Sequence, residues 1–305
     1  MKTMQLGKSG LMVPVIGVGC WRMHRQSKSG VETMIQTALE QGMNFFDHAD
    51  MYGGGACEEI FAKAIHMTDD IREKIILQSK CGITKTSFDF SKEHILEAVD
   101  GSLQRLKTDY LDVLLLHRPD ALVEPEEVAE AFDILKSSGK VHHFGVSNQN
   151  PMQIQLLQKY LHQPLVTNQL QLSIMFAGMI SAGIHVNMQD ESAVNRDGSI
   201  LDFCRLNDIT IQAWSPFQYG FNQGVFLDKE KFPELNAAID KIAEKYQVPN
   251  TAVVLAWILR HPAHIQPITG TMNADRIRDC AKAADITLTR QEWYDIYLAA
   301  GNILP

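Results

Sequence analysis

The chain has 305 residues, 45% of them hydrophobic, with 28 Lys and Arg against 36 Asp and Glu, for a net charge of −8. A chain of this length and composition buries a sizeable core without covalent staples, as one large or two modest domains, and is not intrinsically disordered. Its acidity, with no basic stretch longer than Arg22–Lys28, argues against a nucleic-acid-binding surface.

In chain order, the opening Met4–Pro14 predicts a hairpin that turns at Gly7–Gly10 and covers one end of the fold. Eight short apolar, β-branched runs follow: Val15–Cys20, Asn44–Ala49, Ile75–Ser79, Leu111–Leu116, Val141–Val146, Leu165–Leu170, Ile209–Trp214 and Ile265–Thr269. Helical patterns separate them. Val31, Ile35, Ala38 and Leu39 share one face, as do Ile95, Ala98, Val99, Ser102, Leu103 and Leu106. Ser91 and Asn150-Pro151 carry helix-start chemistry, and Gly42 and Gly139 stand where helices should stop. Eight strand–helix units predict an α/β fold, a (β/α)8 TIM barrel with an N-terminal hairpin, as a single domain over 1–305. The gaps Gln171–Ser199 and Phe217–Lys231 are too long for simple loops and read as insertions at the catalytic face.

In such a barrel the working residues stand at the C-terminal ends of strands. Those ends carry Asp47, Lys80 and His117 on three successive strands, with Tyr52 in a glycine-flanked loop, Tyr52–Gly55. Any one of them alone would read as a strand cap. Together they read as proton chemistry. A buried charge is costly unless paired, so Asp47 and Lys80 should form an ion pair. An ammonium beside a phenol favours the phenolate and should lower the Tyr52 pKa toward the value that a general acid needs. His117 could hydrogen-bond the same substrate oxygen, which is machinery for protonating a carbonyl oxygen as hydride reaches its carbon. His48, next to Asp47, alternates to the other side of its strand and is expected to be packed or solvent-facing.

These residues resemble the aldo/keto reductases over nearly the whole chain. The motifs are Gly19-Cys20-Trp21, Asn44–Tyr52 with Gly53, Ser79-Lys80, Tyr110–His117 with Asp112, Gly139–Asn148, Asn168-Gln169 and Ala213–Pro216. The tail Leu288–Trp293 looks like a bacterial branch of general oxidoreductases. The resemblance implies a catalytic tetrad of Asp47, Tyr52, Lys80 and His117, and NADPH bound without a Rossmann fold. It further implies that Gly19, Cys20, Trp21 and Asp47 border the coenzyme, that Ser147, Asn148 and Gln169 hold the nicotinamide carboxamide, and that Trp214 stacks on the ring. Ser215, Pro216 and Phe217 would approach the pyrophosphate, with Thr269, Gly270 and Thr271 as a phosphate loop; without a lysine near Gly270, the candidates left for the 2′-phosphate are Arg276 and donors from Thr271 and Asn273. Two departures stand out: no lysine lies near Gly270, and Cys280 occupies a position where many members carry an adenine-contacting amide.

Other classes fit less well. No G-x-G-x-x-G follows a strand, Gly7-Lys8-Ser9 lacks the upstream glycine of a P-loop, and a lysine and tyrosine beside Asp47 do not suit a metal site. Cysteines 20, 57, 81, 204 and 280 are odd in number, with no C-x-x-C, which suits reduced thiols. No signal-length apolar stretch opens the chain, and the longest apolar run, Ala252–Leu259, reads as a buried helix. The expectation is therefore a cytoplasmic, NADPH-dependent oxidoreductase acting on a small-molecule carbonyl, with no metal, nucleic acid, membrane or protein partner. Met175, Phe176, Phe217 and Phe221, with Trp21 and Tyr52, are the candidate pocket walls. The rival reading is a regulatory barrel that senses NADPH and binds a partner with little turnover.

Overall fold

The structure, a computed structural model, describes residues 1–186, 191, 198–220 and 223–302. The chain opens with β1 (Thr3–Gln5) and β2 (Met12–Pro14), an antiparallel hairpin. Eight parallel strands follow: β3 (Gly17–Gly19), β4 (Phe45–Asp47), β5 (Ile76–Cys81), β6 (Leu111–Leu116), β7 (Val141–Ser147), β8 (Leu165–Gln171), β9 (Thr210–Trp214) and β10 (Gln266–Thr269). They close into a barrel in sequence order, with β10 pairing β3. Each of the eight apolar runs coincides with one of these strands to within two residues at either end. The main difference is at the C-terminal ends: β5, β7 and β8 run one or two residues further than their runs, to Cys81, Ser147 and Gln171. Polar residues there are still held in the parallel ladder, Lys80 opposite Leu115 and Ser147 opposite Gln169.

Helices α1 (Lys28–Glu40), α2 (Ala56–Ala64), α3 (Asp69–Arg72), α4 (Lys92–Leu106), α5 (Pro125–Ser137) and α6 (Pro151–Tyr160) clothe the first half of the barrel. The second half carries α7 (Gly178–Ile184), α8 (Ile200–Leu206), α9 (Pro233–Tyr246), α10 (Asn250–Leu259), α11 (Ala274–Ala281) and α12 (Arg290–Ala299). Their ends follow the local chemistry. Ser91 accepts from the His94 N–H at 3.4 Å, Asn150 and Gln153 form a capping box behind Pro151, and Gly42 and Gly139 adopt φ of +71° and +75°. Helix α10 is buried from Ala252 to Ile258, and Trp257 and Trp293 clamp it to α12 by exchanging indole N–H to carbonyl bonds of 3.0 Å each way.

One apolar cluster lies between the strands and the helices. A second fills the lower barrel, where Leu6 and Val13 of the hairpin meet Phe45, Ile76, Val113, Leu115, Val166 and Ile268. The hairpin thus plugs the bottom, as expected, fastened where the Gly7 N–H donates to Thr210 Oγ1 at 2.7 Å. Both long insertions leave the opposite end, after β8 and β9, and Ser173 Oγ ties them by donating to the Gln218 carbonyl at 2.6 Å. The first insertion also contains α7, a helix absent from the sequence reading. Among the described residues, no helix is long and apolar enough to cross a membrane.

Candidate active site

Strands β4 and β5 bring Asp47 and Lys80 together at the top of the barrel interior. Lys80 Nζ donates to both Asp47 oxygens at 2.8 Å, to the His48 carbonyl at 2.8 Å and to the Tyr52 hydroxyl at 3.1 Å. Lys80 is 1% exposed and Asp47 3%, so the expected pair is present and water is excluded from it. An ammonium has only donors, so the Tyr52 oxygen must accept from Lys80 and its own O–H points elsewhere. The turn that presents Tyr52 depends on glycine: Gly53, Gly54 and Gly55 take φ of +62°, +65° and +94° in succession, a run that L side chains rarely adopt.

The Tyr52 pKa corrects one expectation. Lys80 does pull the phenol down, but burial is the larger effect and Asp47 adds to it, so the net shift is upward. Burial lowers His117 well below its ordinary value, reinforced by the Lys80 and Arg118 charges, and the ring stays neutral. It meets the Tyr52 ring edge-on at 5.8 Å between centroids. His48 faces outward from the strand, fully buried and edge-on against Phe61 at 4.6 Å, with burial and Lys80 pushing its pKa to about 3. That is the packed alternative of its reading.

Beside these residues, Trp214 Nε1 donates to Asn148 Oδ1 at 3.3 Å, Asn148 Nδ2 to Ser147 Oγ at 2.7 Å, and Ser147 Oγ to the Gln169 carbonyl at 2.9 Å. Asn148 and Ser215 both hold positive φ, +57° and +51°, the backbone strain that tends to gather at working sites. Pro216 is buried and Phe217 partly buried where β9 gives way to the second insertion. Gly19 and Gly270 let β3 and the loop after β10 close on each other. A Cβ at Gly19 would stand 3.2 Å from Ile268 Cγ2, and one at Gly270 would stand 3.2 Å from Trp21 Nε1.

Other predicted residues are placed differently. Cys20 is fully buried, and its N–H is committed to the Asp47 carbonyl at 2.9 Å, so it offers the cleft neither group. Thr269 turns outward onto Cys280 (Oγ1 to Sγ, 3.7 Å), and both are buried. Thr271 Oγ1 accepts from the Asn273 N–H at 3.3 Å, and Asn273 caps α11 through the Arg276 N–H at 3.0 Å. Arg276 is exposed, and its acidic neighbour Asp275 is taken by Arg278 at 2.6 Å. Met175 and Phe217 are partly buried and Phe176 is 44% exposed; Phe221 lies outside the described residues.

Sequence reasoning missed four residues. Arg118 stands 5.6 Å from the Trp214 ring, half-buried and drawn below its ordinary pKa by burial. Gln78, Gln212 and Gln266 point into the barrel below Asp47 and are fully buried. Their signal was present: each is a glutamine at an inward position of a strand that is buried almost throughout.

A family model described as the aldo/keto reductase family matches residues 15–298. The uncharacterized oxidoreductase YcsN of Bacillus subtilis is 37% identical over 294 residues, covering 92% of each chain. A 6-dehydroglucose reductase of Agrobacterium fabrum is 34% identical, again over 92% of each. The crystal structure of the thermostable aldo-keto reductase Tm1743 superposes with a TM-score of 0.78 at 25% identity, covering 98% of this chain and 100% of the other. With a closed barrel of the same architecture and a family match that spans nearly its full length, the chain belongs to the aldo/keto reductase family.

Proposed function

We propose that the protein is an NADPH-dependent reductase that converts a small aldehyde or ketone to an alcohol, with Tyr52 as the general acid. The observation that carries this reading is the Lys80 ammonium, which donates to Asp47, to a backbone carbonyl and to the Tyr52 oxygen at once. It leaves the phenolic proton directed away from Lys80, available to a substrate oxygen. An upward-shifted phenol remains protonated at neutral pH. It is nonetheless a far stronger acid than the alcohol formed when a carbonyl accepts hydride, so proton transfer runs downhill. Lys80 then stabilises the resulting phenolate, and Asp47 keeps Lys80 charged and aimed. Neutral His117 donates a hydrogen bond to the same oxygen and selects its orientation.

The residues present fit a nicotinamide coenzyme. Ser147, Asn148 and Gln169 offer the hydroxyl and amide groups that a carboxamide needs, and Trp214 offers a flat aromatic face. When bound, the coenzyme supplies hydride to the carbonyl carbon. Arg276 and the first turn of α11 provide positive charge and N–H groups for the 2′-phosphate, and Asp275 does not compete for Arg276 because Arg278 engages it.

The test is NADPH oxidation by the purified protein with a panel of aldehydes, ketones and diketones, including 6-dehydroglucose because of the A. fabrum relative. Saturable turnover on at least one member is expected. Tight NADPH binding without turnover above background on any of them would overturn the reading in favour of a coenzyme-sensing barrel.

A further inference from the structure

Below Asp47 the barrel axis is threaded by side-chain amides. Gln266 Nε2 donates to the Pro14 carbonyl of the hairpin at 2.7 Å, and Gln212 Nε2 donates to Gln266 Oε1 at 2.9 Å. Gln212 Oε1 accepts from two amides, Gln78 Nε2 at 2.8 Å and Gln169 Nε2 at 3.1 Å. Those same two nitrogens donate onward to Asp47 Oδ1, at 2.6 Å and 3.2 Å. Gln78, Gln212 and Gln266 are 0% exposed and Gln169 is 3%, so no solvent is at hand to satisfy a reversed amide.

An amide can face either way, but this chain of amides has a fixed sense. A backbone carbonyl and a carboxylate are both acceptors only. Pro14 therefore demands the N–H2 end of Gln266. That leaves the Gln266 oxygen for the Gln212 N–H2, and the Gln212 oxygen for the N–H2 groups of Gln78 and Gln169. The Asp47 end imposes the same sense from above. Gln78 Oε1 is buried without a partner. That defect is what remains when the orientation of Gln78 is dictated by the donors Asp47 requires rather than by its own oxygen.

We propose that Gln212 is a positioning residue of the site. Oriented from the bottom of the barrel by Gln266 and Pro14, it fixes the Gln78 and Gln169 amides so that both present N–H groups to Asp47. This rests on the reading of Asp47, Lys80 and Tyr52 as the proton-transfer group. Two consequences follow. Asp47 is clamped from below by neutral donors while Lys80 holds it from above, so the ammonium keeps its aim at Tyr52. Gln169, with its nitrogen committed inward, is left with its oxygen as the end it can offer to a ligand. That acceptor suits the N–H2 of a carboxamide.

The experiment is a double-mutant cycle on kcat with Gln212→Met and Gln266→Met, alongside spectra of the side-chain amides in 15N-glutamine-labelled protein. Gln212→Met should lower kcat roughly tenfold, the upper range for a lost hydrogen bond between neutral groups, with the carbonyl KM unchanged. Gln266→Met, acting only through Gln212, should cost about two- to tenfold alone and nothing further in the Gln212→Met background. The Gln266→Met spectrum should show moved or faster-exchanging Gln78 and Gln169 N–H2 signals, a readout that needs neither coenzyme nor turnover. Independent, additive losses in kcat, or unmoved Gln78 and Gln169 signals, would overturn the proposal. A wild type that reduces no carbonyl would instead defeat the functional reading, and the spectra would still decide the amide chain.

Discussion

Two buried ion pairs stand at opposite ends of the same barrel. At the bottom, between α3 and the starts of β5 and β6, Arg72 binds Asp112 Oδ2 at 2.7 Å. Every guanidinium nitrogen is engaged: Nε with Thr108 Oγ1 at 2.9 Å, Nη1 with the Ile75 carbonyl at 3.0 Å, and Nη2 with the Tyr110 carbonyl at 3.0 Å as well as with Asp112. The Leu77 N–H adds a bond of 2.8 Å to the same carboxylate oxygen, and the guanidinium lies 3.7 Å from the Tyr110 ring centroid. At the top, Lys80 and Asp47 are as deeply buried, yet one of the three Lys80 hydrogens goes to Tyr52, a group with its own proton to give. The first pair is closed and staples strand starts together. The second ends on the hydroxyl of Tyr52, the proposed acid. Burial alone does not distinguish structure from chemistry; what the last donor touches does.

The sharpest way to break this contrast is to remove the proton and nothing else. Tyr52→Phe should cut turnover by about two orders of magnitude or more, typical of losing a positioned acid, while a fluorescence titration finds NADPH affinity nearly unchanged. A Phe variant that keeps more than a tenth of wild-type turnover removes Tyr52 from that role. Next in size is coenzyme choice. Arg276→Ala should weaken NADPH by roughly tenfold to a hundredfold and leave NADH alone, since one charge-assisted contact to phosphate is lost. An equal loss for both coenzymes would mean that Arg276 does not read the 2′-phosphate.

A smaller effect concerns His48, which directly follows Asp47 but shares none of its chemistry. Its pKa of about 3 lies below that of an unfolded histidine, so the unfolded chain binds the proton first as pH falls. The stability that a neutral His48 contributes is complete above about pH 6.5 and is lost as pH falls toward 3, by about 2 kcal/mol at pH 5. His48→Phe should remove that share of acid sensitivity in denaturation curves at pH 7 and pH 5. Identical acid losses in the variant and the wild type would show that His48 is not buried neutral.

The sequence was most informative where charge interrupts apolar order. Asp47, Lys80 and His117 each close a run of strand residues, and the period of two told His48 from Asp47 correctly. The Tyr52 pKa was misjudged because a linear reading sees the neighbouring ammonium but not the depth of burial that outweighs it. The amide chain was missed for another reason. A glutamine in a strand is ordinarily a satisfied neutral group, and Gln212 meets Gln78 across 134 residues of sequence, a contact that only barrel closure creates. Cys20 lies in a motif segment and Thr269 in the expected phosphate loop, but both turn their side chains into the packed layer between strands and helices, a distinction that needs the structure in three dimensions.

The most direct test of the two-pair account is to break both pairs in the same way, with Lys80→Met and Arg72→Met, measuring kcat and chemical denaturation on the same samples. Each variant strands a buried carboxylate, so both should lose about 3–5 kcal/mol of stability. Turnover by the folded protein should stay within about twofold of wild type for Arg72→Met but fall about a hundredfold or more for Lys80→Met, on the scale set by positioned proton transfer. An Arg72→Met enzyme slowed as much as Lys80→Met, or a Lys80→Met enzyme that turns over at the wild-type rate, would contradict it.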